Sequence, residues 1–225
     1  MSENARTEVP ILRLRGWRLL VRYVLLFGAG TLFVLPLYWM IASSLKPEYA
    51  VFARPAVWWP NPPRWDNYIE ALTFLPFDIY AVNTLTIAVW SVIGQVFSCT
   101  LVAYGFARLR APGKNFLFIL LLATLMLPYP VVMIPQYIIF SELDWVNSFL
   151  PLIVPTFLGN AFYIFLLRQF FLQIPPDLED AAAIDGANVF QTILFVILPL
   201  ARAAMATVAI FTFQFAWNDF LAPLI

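Results

Sequence analysis

Long apolar runs, parted by short polar or proline-rich breaks, set the pattern of this chain. A membrane-crossing helix needs about 20 mostly apolar residues. Four uncharged runs reach that length, at residues 23–44, 79–107, 115–141 and 145–167. A fifth, 203–225, reaches it if Asp219 is tolerated near its outer end. The shorter run 187–201 carries Pro199 and is bounded by Asp185 and Arg202. It is predicted to lie at the interface rather than to span. The pattern therefore predicts an all-α polytopic transmembrane helical bundle with five visible spans.

Composition agrees. Hydrophobic residues make up 62% of the chain and charged residues 12%, whereas a soluble domain carries about 25% charged residues. Such a chain cannot coat a water-facing surface, and membrane lipid is its expected surrounding. The zero formal net charge argues against nucleic acid as a partner. One cysteine, Cys99, and no histidine exclude an internal disulfide and a Cys/His metal cluster. Cys99 lies in an apolar run and reads as a small packing residue. Without histidine there is no Ser/His pairing. Gly113-Lys114 lacks the upstream glycine and the following Ser or Thr of a phosphate-cradling loop. No catalytic residue, metal or cofactor of its own is expected.

Basic residues orient the bundle. Arg6, Arg13, Arg15, Arg18 and Arg22 precede the first run, and Arg108, Arg110 and Lys114 separate the second from the third. Arg168 and Arg202 flank an acidic stretch, while Lys46, Arg54 and Arg64 fall on the other side. The positive-inside rule places the N-terminal segment 1–22 and the acidic stretch in the cytoplasm. The first run is longer than the ~7–15 apolar residues of a signal peptide, so it is read as a retained helix. The loop 46–78, rich in Trp and Pro, is predicted to form an ordered outer cap. Pro36, Pro128, Pro130, Pro135, Pro151 and Pro155 are expected to kink helices. Gly94 with Ser98 and Ala103 with Ala107 would allow close helix packing. Five spans with an inner N-terminus leave Ile225 outside, so a sixth helix is expected beyond it and the chain reads as C-terminally incomplete.

The acidic stretch departs most from the membrane pattern. Pro175 and Pro176 end one helix and fix the start of the next. Asp177 is the expected N-cap, and Glu179 and Asp180 place negative charge in the first turn, where the helix dipole favours it. Ala181, Ala182 and Ala183 favour helix and carry almost no side chain. Gly186 can take the left-handed conformation that ends a helix. A second short helix is predicted over 188–198, with Phe190, Ile193, Leu194 and Ile197 on a bilayer-facing side. Two readings stand: a surface helix gripped by a cytosolic partner, or an amphipathic re-entry loop with none.

Asp180-Ala181-Ala182-Ala183-Ile184-Asp185-Gly186-Ala187, followed by Ile197-Leu198-Pro199, resembles the EAA loop that marks membrane subunits of binding-protein-dependent ABC importers. Asp180 stands where the family usually has glutamate. Asn83-Thr84-Leu85, Tyr104-Gly105-Phe106-Ala107-Arg108-Leu109, Met133-Ile134-Pro135-Gln136-Tyr137 and Trp217-Asn218-Asp219-Phe220 resemble the carbohydrate-uptake branch, the maltose-type or glycerol-phosphate-type permeases. The resemblance implies a transmembrane domain over 23–225 with a cytoplasmic coupling loop at 175–199, in a bacterial-type inner membrane. It implies a cytosolic ABC ATPase dimer holding the ATP and Mg, a second homologous permease subunit and an extracytoplasmic solute-binding protein. It makes Glu179, Asp180, Ala181, Ala182, Asp185 and Gly186 the ATPase-coupling residues.

Polar groups inside apolar runs are the candidates for a solute path: Asn83, Gln136, Trp217, Asn218 and Asp219. Aromatic faces and hydrogen-bonding groups suit a sugar. Asp219 either lines that path or snorkels to the interface. Asn83, Gln95, Gln136, Asn160 and Gln214 either bond across helices or meet solute. The competing class is a secondary transporter or channel without an ATPase, which would need mid-membrane charges.

Overall fold

A proline removes a hydrogen bond from a helix interior and none from its first turn, and that asymmetry decides where the apolar runs break. The computed structural model describes residues 16–224. Arg6, Arg13 and Arg15 of the basic N-terminal segment lie outside the described residues, as does Ile225. The chain divides between Phe77 and Asp78 into two units. Every regular element among the described residues is helical.

The first unit is one long helix and a folded loop. Helix α1 (Gly16–Ser44) runs unbroken through Pro36, and its 29 residues reach about 44 Å, beyond a ~30 Å hydrocarbon core. Two short helices follow, α2 (Glu48–Val51) and α3 (Asp66–Phe74). The Asn67 amide donates to the carbonyls of Ser44 (2.9 Å) and Lys46 (2.8 Å), and Tyr68 shares a 2.7 Å hydrogen bond with Ser44. Tyr38 donates to the Trp58 carbonyl at 2.8 Å, and the Trp39 and Trp58 rings meet edge-on at 5.3 Å. Lys46 is fully buried, its ammonium 3.8 Å from the Trp39 ring centre and 3.3 Å from the Ser43 hydroxyl. The Trp/Pro-rich loop is thus folded back on the end of α1.

The second unit begins with α4 (Phe77–Arg108), followed by α5 (Lys114–Ala123), whose end tightens to a 3₁₀ turn at Thr124–Met126, and α6 (Tyr129–Glu142). Helix α7 (Leu150–Ile153) passes through a 3₁₀ stretch, Val154–Leu158, to α8 (Ala161–Gln173). Then come α9 (Asp177–Ile184), α10 (Val189–Thr192), a π-helical turn at Ile193–Ile197, and α11 (Leu198–Leu200). The last elements are α12 (Arg202–Asn218) and α13 (Leu221–Leu224). One buried cluster unites Cys99, Ala103 and Tyr104 of α4 with Ile164, Leu167 and Phe171 of α8 and Val208 of α12.

Three helical stretches, 16–44, 77–108 and 150–173, are long and apolar enough to cross a bilayer, and five if each of two bent pairs counts as one span. Several expected boundaries need correction. The run 115–141 is not one helix: its halves meet at 101°, because Pro128 and Pro130 fall together at the start of α6. Pro135 alone leaves α6 continuous. The run 145–167 begins its helix only at Leu150, since Asp144 (φ 55°) and Asn147 (φ 63°) form a left-handed turn. It extends to Gln173. Helix α12 of the last run ends at Asn218, so Asp219 lies in a short break before α13, inside the stretch 202–224 that forms one arm of a bent pair. The interfacial helix turns Ile193 and Ile197 into the core cluster and leaves Phe190 and Leu194 outside. Its π-turn rotates the apolar face relative to an ideal helix.

The break between α7 and α8 is lined by a polar ladder from α4. Ser91 donates to the Leu152 carbonyl (3.4 Å) and Ser98 to the Thr156 carbonyl (3.1 Å), while the Asn160 N–H points at the Cys99 sulfur (3.3 Å). These groups occupy backbone polar atoms freed by the irregular stretch, which hydrocarbon cannot hydrate. A Cβ at Gly94 would lie 2.6 Å from the Phe157 ring and the Thr156 hydroxyl, so only glycine permits this approach. The predicted packing role of Gly94 and Ser98 is met here, and Asn160 caps α8 through its side chain.

Candidate coupling site

The surface helix α9 is specified at both ends by backbone chemistry. Helix α8 stops at Gln173, and Ile174 is extended. Pro176 sits at the cap with φ −64°, and its carbonyl accepts from Glu179 N–H (2.9 Å) and Asp180 N–H (3.1 Å). The expected N-cap therefore shifts by one residue. Asp177 is the first helical residue and makes no capping bond, because the proline carbonyl already opens the helix. Asp177, Glu179 and Asp180 all lie in the first turn, favourable at the positive end of the dipole. At the far end Ala187 N–H donates to the Ala182 carbonyl (2.9 Å) and Gly186 N–H to that of Ala183 (3.1 Å). This pair of bonds is the Schellman closure, with Gly186 at φ +84° in the left-handed position it requires.

The eight-residue helix has two unlike faces. Ala182 is buried, while Asp180, Ala181, Ala183, Asp185 and Gly186 are exposed. Ile184 projects outward with 87% of its surface exposed. Glu179 turns the other way. Its Oε1 lies 2.7 Å from Arg108 Nε, and its Oε2 accepts from the Tyr104 hydroxyl at 3.1 Å. Both partners of the ion pair are largely enclosed, at 14% and 18% side-chain exposure. The two acids that the sequence places side by side thus have opposite roles: Glu179 is an internal tie and Asp180 a surface charge.

Arg108 also donates through Nη2 to the Ile174 carbonyl, at the terminus of α8. Arg168 of α8 returns the contact, donating through Nε to the Phe106 carbonyl in the last turn of α4 (3.2 Å). Its guanidinium lies 4.2 Å from the centre of the Phe118 ring of α5. Each helix end is thus capped by the other helix's arginine. Two negative dipole ends would repel at this spot, and the two guanidiniums offset them. In the sequence Arg108 serves to orient the bundle, and neither it nor Tyr104 nor Arg168 stands out as part of the site. The available signal was the i, i+4 spacing of Tyr104 and Arg108, which puts both on one face at the end of α4.

The solute-path candidates are less united. Asn83 and Gln136 are half-buried, and no hydrogen bond among the described residues joins either to the 217–219 group. Trp217 is half exposed and stacks on Phe213 at 5.6 Å. Asn218 donates its amide to the Gln214 carbonyl (2.7 Å), and the Asp219 carboxylate accepts from Ala222 N–H (3.3 Å). Asp219 is also within electrostatic reach of Tyr129, at the start of α6.

The family described as binding-protein-dependent transport system inner membrane component matches residues 99–225. A sulfoquinovosyl glycerol transport system permease of Agrobacterium fabrum is 32% identical, covering 84% of this chain and 67% of that one. An sn-glycerol-3-phosphate transport system permease of Yersinia pestis is 30% identical, covering 94% and 76%. A chain from the crystal structure of a bacterial ABC transporter importing the acidic polysaccharide alginate superposes with a TM-score of 0.80 at 25% identity, covering 91% and 76%.

Proposed function

The chain belongs to the family of binding-protein-dependent transport system inner membrane components, and from that premise we propose that α9 is the surface on which a cytosolic ABC ATPase dimer docks and that the cargo is a sugar or sugar-like solute. The chain is a membrane-spanning permease subunit of an ABC importer. A second permease subunit would complete the pathway, and an extracytoplasmic binding protein would deliver solute. ATP and Mg would be held by the ATPase alone. On this reading the N-terminal segment and α9 are cytoplasmic.

The observation that carries the docking role is the two-faced α9. Its inner face is tied through Glu179, while Asp180, Ala181, Ala183, Ile184 and Asp185 point outward. Small outer side chains let a groove close on the helix, and Ile184 supplies an apolar knob. Closure of the ATPases on ATP would displace α9 and switch the bundle between two discrete states. For the cargo, the relatives carry glycerol conjugates or a polysaccharide by name. The Trp217–Phe213 stack, with Asn83, Gln136, Asn218 and Asp219, offers the aromatic and hydrogen-bonding groups a sugar uses.

The test is purification in mild detergent from cells expressing the whole transporter. An ATPase is expected to co-purify, and Ala181→Trp, which blocks the groove contact, should lower its recovery about tenfold, equal to ~1.4 kcal/mol of docking energy. Recovery unaffected by Ala181→Trp overturns the docking role. Solute uptake by the purified chain without any ATPase would instead favour the secondary transporter.

A further inference from the structure

We propose that Arg108 is the positioning residue of coupling: it holds α4, the end of α8 and the surface helix α9 as one lever. The proposal rests on the docking role of α9. It concerns a different face of that helix, the one turned away from any ATPase.

The geometry separates two of the three guanidinium nitrogens. Nε faces Glu179 of α9 and Nη2 faces the Ile174 carbonyl at the end of α8, while the stem belongs to the last residue of α4. Both carboxylate oxygens of Glu179 face inward, Oε1 buried beside Arg108 and Oε2 bonded by Tyr104 of α4. An outside arginine or lysine would therefore meet Asp180, not Glu179. Four elements share the knot, because Arg168 of α8 reaches the Phe106 carbonyl of α4 and the Phe118 ring of α5.

Displacement of α9 needs a stiff path into the bundle. The segment 174–176 between α8 and α9 is short but irregular, and a covalent link of three residues can swivel. The ion pair removes that freedom. Its partners are mostly shielded from water, so screening by salt is weak and the attraction persists through a motion. Arginine suits the role where lysine does not. A planar guanidinium can set its charge beside Glu179 while a second nitrogen donates to the Ile174 carbonyl, whereas an ammonium is a single point on a flexible stem. Tyr104 adds stiffness at the other side, its ring packed edge-on against Phe171 of α8 at 6.4 Å.

The experiment uses the whole transporter in proteoliposomes, with ATPase co-purification, basal ATP hydrolysis and solute uptake measured on the same preparation. Glu179→Gln keeps the size of the side chain and its bond from Tyr104 but deletes the ion pair. It is expected to leave co-purification and basal hydrolysis within about twofold of wild type while uptake falls at least about tenfold, a coupling loss of ~1.4 kcal/mol. Arg108→Lys is expected to follow Glu179→Gln. Uptake within about twofold of wild type in Glu179→Gln, with the ATPase still bound, overturns the positioning role and leaves the docking role standing. Failure of Ala181→Trp to release the ATPase overturns the docking role instead. A covalent substitute makes the test independent of the charge. Arg108→Cys with Glu179→Cys, bridged by a short bifunctional thiol reagent, should regain uptake relative to the same protein before bridging. Bridging that leaves uptake at the unbridged level, or lowers it, overturns the proposal.

Discussion

Lys46 and Arg108 occupy comparable places in the two units, one just beyond a long apolar helix and the other at the last residue of one, and each ties down a polar excursion of the chain. Their partners differ. Lys46, just past the end of α1, rests on Ser43 and Trp39, the last and the next-to-last turn of that helix. Among the described residues no carboxylate pairs with it, and its burial is offset by an aromatic face and a hydroxyl. Arg108 reaches 66 residues along the chain to the Ile174 carbonyl, and farther to Glu179. A local cation–π anchor fixes a loop to the helix it came from and passes nothing on. A long-range ion pair joins elements that would otherwise move independently. The first reads as a fastening and the second as a linkage.

The largest expected effect lies where the linkage depends on backbone shape. Gly186 is at φ +84°, in open space, so a larger residue meets strain and no clash. Gly186→Val forces a β-branched residue into the left-handed region, at roughly 1–3 kcal/mol. The helix end is expected to unwind, with uptake falling about tenfold or more and chain abundance nearly unchanged. Gly186→Asn, which tolerates that region, should retain most uptake. Equal losses in both variants would show that the turn acts through something other than its left-handed geometry.

Gly186 also shows what was legible in the sequence. Pro175-Pro176, the alanines and the glycine obey rules that act over one or two turns, so α9 and its closure could be read almost residue by residue. The tie through Glu179 could not. Arg108 fits the positive-inside pattern whether or not an acid faces it, and nothing in a linear sequence distinguishes Glu179 from Asp180. The spans were legible as apolar runs, their breaks less so. Pro36 and Pro135 remain inside continuous helices, while the Pro128–Pro130 pair divides a run and Gly159 (φ +87°) interrupts another. The ladder of Ser91, Ser98 and Cys99 that accommodates the second break comes from a helix about 60 residues earlier, beyond any local rule. The break at Asp219 escaped for the same reason: hydropathy reports that a stretch is apolar, not that its helix is continuous.

An intermediate effect is expected at Tyr104. Tyr104→Phe removes one hydrogen bond to a carboxylate and leaves the ring against Phe171. A bond to a charged group contributes about 1.5–3 kcal/mol at full strength. At 3.1 Å, with the Arg108 pair intact, the lower end applies. Uptake is expected to fall several-fold, less than in Glu179→Gln, with the ATPase still co-purifying. A loss exceeding that of Glu179→Gln would make the tyrosine, not the arginine, the principal tie.

The smallest effect on transport belongs to Lys46, although it is the most deeply buried charge among the described residues of the first unit. Lys46→Met keeps an unbranched chain of similar length in the same place. It forfeits a cation–π contact worth up to about 2 kcal/mol when desolvated and a long hydrogen bond to Ser43. It also relieves the cost of holding an ammonium away from water, which often cancels such losses. The net change in stability is expected within about 1 kcal/mol, visible as a small shift in thermal unfolding in detergent. Uptake per folded molecule should be unchanged, because Asn67 still fastens the loop to the backbone at Ser44 and Lys46. Arg108→Met offers no such compensation, since it leaves Glu179 enclosed without its cation. If Lys46→Met folded normally yet lost uptake as fully as Glu179→Gln, the loop at the end of α1 would itself be part of the moving linkage, and the contrast between the two basic residues would fail.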